Sequence, residues 1–163
     1  MQIVNRELKA RRLWLVLLTA LIVTVWPAWG QEASPPPDFH VTVRSAYGFD
    51  ETLERLKQAI EGENLMLLHE INPQQMLRMV GVRTGGMRQI LFFHPRYMKQ
   101  IFETNRNGVI EPPLKLVAME MPDGRVMIRY IDPTYLFGRY DGLEEIGSEL
   151  NAVVKKIVAS VQQ

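Results

Sequence analysis

Hydrophobic and polar positions follow three rhythms along this chain, and each predicts a different kind of element. Residues 13–25 are an apolar run interrupted only by Thr19 and Thr24. From residue 40 the period drops to two: Val41 and Val43 alternate with Thr42 and Arg44, which predicts a strand over 40–46. After the Tyr47-Gly48 turn the period lengthens, and Leu53, Leu56 and Ile60 fall on one helical stripe, with Asp50 as the expected cap and Gly62 as the stop. A second strand is expected over 65–71, apolar on both faces apart from His69 and Glu70. Asn72-Pro73 then opens a short helix carrying Met76, Leu77 and Val80, and the patternless, glycine-rich stretch 81–87 reads as a mobile loop.

The second half of the chain is read the same way. Residues 89–93 predict a third strand. His94-Pro95 predicts an abrupt switch into a helix, because proline extends the residue before it and suits the first helical position itself. That helix presents Met98, Ile101 and Phe102. Strands are expected over 114–121 and 125–131, joined by the tight turn Pro122-Asp123-Gly124. A last helix is expected from Asp141, with Glu144 completing a capping box and a stripe of Leu143, Ile146, Leu150, Val153, Ile157 and Val161. Short strands with interspersed helices make the fold class α+β: a small, mostly antiparallel sheet of about five strands, helices packed on one face, and a long C-terminal helix.

The apolar run near the start has a different meaning. Lys9, Arg11 and Arg12 precede it and the small residues Ala28 and Gly30 follow it, the order found in a secretory signal peptide. Its 13 residues fall short of the roughly 20 needed to span a bilayer as a helix. Residues 1–30 are therefore expected to be a signal peptide cleaved after Gly30, which sends the protein to the periplasm or outside the cell. Residues 31–38, with Ser34-Pro35-Pro36-Pro37, are expected to be a proline-rich spacer, and 39–163 a single domain.

Composition then narrows the function. The leader holds four of the 19 basic residues (Arg6, Lys9, Arg11, Arg12) and one of the 18 acids (Glu7), which leaves 15 against 17 and a net charge of −2. A weakly acidic domain lacks the basic stripe that nucleic-acid binding needs. The absence of cysteine excludes disulfides, a thiolate nucleophile, a thiolate zinc site and covalent c-type haem attachment. None of Ser34, Ser45, Ser148 and Ser160 sits in a Gly-x-Ser-x-Gly elbow, and His69-Glu70 is not followed by a second histidine at helical spacing. The chain reads as non-enzymatic.

Several segments together resemble a known family. Thr52-Leu53-Glu54-Arg55-Leu56 with Ala59-Ile60, the run from Gln89 to Met98 through Phe92-Phe93-His94-Pro95-Arg96-Tyr97, Pro112-Pro113-Leu114-Lys115, and Met119-Glu120-Met121-Pro122-Asp123-Gly124 with Asp132-Pro133 are similar to the bacterial domain-of-unknown-function family numbered 302. The resemblance covers roughly Phe39 to Val161. Many members carry Gly-Asn-Pro where this chain has Phe-His-Pro, so the likeness is to an exported branch. It implies a small α/β sandwich that forms homodimers, and no activity.

Two sets of residues are candidates for chemistry. His94, at a strand-to-helix junction and followed by Arg96 and Tyr97, could hold an anionic ligand near free helix N–H groups, though capping of the helix is the simpler role. Methionine is abundant, and thioethers with histidine are soft ligands for copper(I). His69 or His94 with Met76, Met79 or Met87 is the candidate metal set, and haem is the other cofactor that such residues could ligate. Core packing also accounts for the methionines, so no cofactor is expected. The leading expectation is a periplasmic binding or accessory domain, acting as a homodimer on a small ligand or an envelope protein. The alternative is a copper- or haem-binding protein of an envelope redox system.

Overall fold

A computed structural model describes residues 37–162. The expected signal peptide and residues 31–36 of the expected spacer lie outside the described residues. Five strands, β1 (His40–Arg44), β2 (Met66–Ile71), β3 (Met87–Phe93), β4 (Leu114–Glu120) and β5 (Val126–Ile131), form one sheet in the order β1-β5-β4-β3-β2. Every neighbouring pair is antiparallel. The helices are α1 (Phe49–Gly62), α2 (Pro73–Met79), α3 (Pro95–Thr104), α4 (Pro133–Phe137) and α5 (Glu144–Ala159), with a 3-10 turn at Arg106–Ile110.

The period-two pattern decides which face of the sheet is covered. Leu114, Leu116 and Ala118 of β4 and Val126, Ile128 and Tyr130 of β5 are buried, while Val117, Met119, Met127 and Arg129 between them are only half-buried. The covered face meets Leu53, Leu56 and Ile60 of α1 and Leu150, Val154 and Ile157 of α5 in one core. Each fully buried side chain of this size contributes about 1.5–3 kcal/mol relative to exposure. On the other face Met87, Met119 and Met127 lie side by side across three strands.

Segment ends depart from the sequence expectations in instructive ways. Asp50 lies in the first turn of α1, whose N-cap position belongs to Gly48 without a side-chain bond. The left-handed residue after α1 is Asn64 (φ 56°), beyond Gly62. The α5 capping box does not form: Gly142 takes φ 83° and the helix begins at Glu144, with Leu143 at the N-cap position. Asp132 does more than end β5, since its carboxylate accepts from the Thr134 N–H (2.7 Å) and caps α4, an element the sequence reading missed. The end of the 81–87 loop is pinned rather than free. Gly86 N–H donates to Glu120 Oε2 (2.8 Å), the Glu120 N–H donates back to the Gly86 carbonyl (2.8 Å), and Gly86 is buried.

A small polar knot closes the domain. The buried Ser45 and Thr52 hydroxyls bond each other at 2.7 Å, and Ser45 Oγ donates to the Val161 carbonyl at 3.2 Å. These bonds tie β1 to α1 and to the end of the chain's last turn. Ser45 thus has a structural role, which removes one of the serines considered as nucleophiles.

Candidate functional site

β4 and β5 pair with each other only between Val117↔Arg129 and Glu120↔Val126. Beyond that point the two strands part. β4 continues against β3 as far as Leu114↔Phe92, while β5 continues against β1 as far as His40↔Ile131. A strand paired on one side alone turns half of its N–H and C=O groups toward the gap. The fork opens a cleft of about 280 Å³, close to the lower bound of roughly 300 Å³ for small-molecule sites.

Apolar side chains make the floor of this cleft: Phe92, Leu114, Leu116 and Ile131 from the sheet, Pro133 and Leu136 from α4, and Val154 from α5. Polar groups line the rest. His40, Lys115, Arg129, Tyr130 and Glu111 all border it. Glu111 Oε1 already accepts from Arg139 Nη2 at 2.7 Å and from the Tyr140 hydroxyl at 2.5 Å. That bond to Glu111, with burial second, raises the Tyr140 pKa above 10.0. Lys115 and Arg129 have no acidic partner among the described residues. Arg129 spends its Nε on Thr42 Oγ1 (3.3 Å) and keeps its remaining donors. Burial, with the Asp132 carboxylate second, raises the Tyr130 pKa above 10.0 and keeps the hydroxyl neutral. His40 Nδ1 is buried and has no hydrogen-bond partner among the described residues.

The sequence-selected residues sit elsewhere. His94 occupies the N-cap of α3, where its Nδ1 accepts from the Arg96 N–H at 3.0 Å. Tyr97 is buried, donates to Glu149 Oε1 (2.7 Å) and accepts from Arg96 Nη2 (2.7 Å), while Arg96 and Glu149 form an ion pair at 3.7 Å. Desolvation, followed by the bond to Glu149, raises the Tyr97 pKa above 10.0. The three groups bond one another and fasten α3 to α5. Glu149 is the member the sequence reading missed. The cleft residues were missed as well, because the fork is a property of strand pairing that no local pattern reports.

Met87 stands apart from both histidines of the metal set. Met87 and Phe93 mark the two ends of β3, six residues apart, which is roughly 20 Å at about 3.3 Å per residue. A site joining His94 to Met87 is therefore ruled out by distance. His69 pairs with Leu91, four residues along β3 from Met87, and that pairing is also too remote. Met76 and Met79 are 61% and 81% exposed on α2. Among the described residues, no group of three or more His, Asp or Glu is placed to hold a metal ion. Among the same residues, no helix is long and apolar enough to cross a membrane.

Comparison with known proteins bears on the fold. The family model described as "Domain of unknown function DUF302" matches residues 41–161. Among solved structures, an uncharacterized conserved DUF302 protein from Bacillus stearothermophilus superposes with a TM-score of 0.71 at 23% identity, over 77% of this chain and 100% of that one. No curated protein matches.

Proposed function

The chain belongs to the DUF302 family, and from that membership and the cleft geometry we propose that it is an exported, non-enzymatic domain that binds a small ligand in the β4/β5 fork. One observation carries the reading. The fork exposes an apolar floor from both layers of the domain, while at its rim, among the described residues, His40 Nδ1 has no hydrogen-bond partner and Lys115 and Arg129 have no acidic one. Well-packed interiors leave few such voids, and convergent polar tips over an apolar floor are what orient a ligand. Export rests on the signal-peptide pattern of residues 1–30. Self-association belongs to the same reading: Met66 and Leu68 are about half exposed on β2, an edge strand, where a second copy can cover them.

Calorimetric titration with 1-octanol, a neutral apolar probe, tests the ligand reading. The wild-type protein should bind one equivalent saturably. Val117→Trp, which places an indole at the cleft wall, should abolish that binding while unfolding at the same denaturant concentration. Absence of saturable binding, or binding that survives the indole, overturns the reading.

The second reading is copper(I) binding, and the row Met87, Met119 and Met127 favours it. Adjacent antiparallel strands place side chains roughly 5 Å apart, which sets three thioethers side by side on the open face, a soft donor set. A chelator competition titration checks it: one copper(I) per chain, lost in Met119→Leu, supports this reading over the first.

A further inference from the structure

The rim of the cleft also indicates which chemical class of ligand it takes. We infer, building on the proposed ligand reading, that the ligand is a short organic carboxylate whose apolar body lies in the fork and whose head is held by Lys115, Arg129 and His40. Charge comes first. Lys115 and Arg129 have no acid partner among the described residues, and Glu111, the acid that lines the cleft, is compensated by Arg139 and hydrogen-bonded by Tyr140. Even with the Asp132 carboxylate that acts on Tyr130 counted beside Glu111, the cations Lys115, Arg129 and Arg139 outnumber the acids at the rim, in a domain that is slightly acidic without its leader.

Placement comes second. Lys115 and Arg129 stand on the face of the sheet away from the core, because each alternates with buried neighbours, Leu114 and Leu116 in one strand and Ile128 and Tyr130 in the other. His40 pairs with Ile131 two residues along from Arg129, on that same face. The three polar tips therefore gather at the mouth while the floor is apolar. A carboxylate supplies acceptors and no donor, which matches two cations and an imidazole N–H.

His40 adds an unmet hydrogen bond. A buried polar atom left without a partner is costly, and His40 Nδ1 is one of two side-chain atoms in that condition among the described residues. A carboxylate oxygen accepting from the imidazole N–H meets the need. The cavity size keeps the ligand short.

The test compares octanoate with 1-octanol by calorimetry on the exported protein and on Lys115→Gln/Arg129→Gln. Charge-assisted hydrogen bonds of the usual strength should make octanoate bind at least about tenfold more tightly than the alcohol to the wild type. In the double variant that preference should vanish. Lys115→Gln alone, at an exposed position, should lose part of the preference. Equal affinity for acid and alcohol in the wild type, or a preference that persists in the double variant, overturns the carboxylate assignment and leaves the ligand site standing. Failure of both probes to bind removes the site itself.

Discussion

His94 shows how much of a residue's role is fixed by what it touches. Its place at a strand-to-helix junction suits a ligand contact or a cap, and its Nδ1 accepts from the Arg96 N–H. His94→Ala should then cost about 1 kcal/mol, the usual worth of an N-cap. Leu150, which is 0% exposed, should cost on the order of 2–4 kcal/mol when replaced by alanine, because a cavity is left in the core. Urea unfolding of both variants measures the contrast, and equal losses would place His94 in the core instead. Tyr97 makes a pH prediction. Its folded pKa lies above the ordinary 10.0, as does that of Tyr130. The unfolded chain therefore loses these protons first, so the stabilisation is complete below about pH 10 and falls as pH rises through the folded values. The unfolding midpoint should drop above pH 10 in the wild type and drop less steeply in Tyr97→Phe. Leu150 was legible because helical periodicity reports it. Glu149 was not, because its partner lies on another helix.

At the scale of elements, the sequence pattern located the strands and the longer helices, and it failed at their ends. Each strand appears within one or two residues of its expected span, since alternation with burial is a local property. The α5 start failed because Asp141 and Glu144 have the right spacing for a capping box but Gly142 turns left-handed between them. Asp141→Ala should accordingly leave the unfolding free energy, measured in urea, within about 0.5 kcal/mol of wild type, the range for a surface change away from special features. The 81–87 segment failed in the opposite sense. A Cβ on Gly86 would lie 2.5 Å from the Phe49 ring, so the glycine is needed where the loop closes on the first residue of α1. Gly86→Ala should destabilise by about 1–3 kcal/mol, typical of overpacking. A neutral outcome in thermal unfolding would mean that the loop can move away from α1.

At the scale of the molecule, the α+β class and the family were readable from the chain and the cleft was not. The fork arises because β4 and β5 follow different neighbours after Val117 and Arg129, a long-range pairing choice with no local signal. Two whole-molecule expectations follow from the exported, self-associating reading. Intact mass of the protein recovered from the envelope should begin at Gln31, and full-length chain held in the membrane fraction would contradict cleavage. Sedimentation at micromolar concentration should show a dimer, weakened by Leu68→Lys on the exposed edge, and a monomer throughout would remove that part of the account. The proposed function stands or falls with the cleft. Titration of octanoate into isotope-labelled protein, followed by amide chemical shifts, probes it residue by residue. Saturable shifts are expected, centred on His40, Lys115, Leu116, Arg129 and Tyr130, with the Arg96-Tyr97-Glu149 seam unmoved. Largest shifts at that seam, or none at the fork, would contradict it.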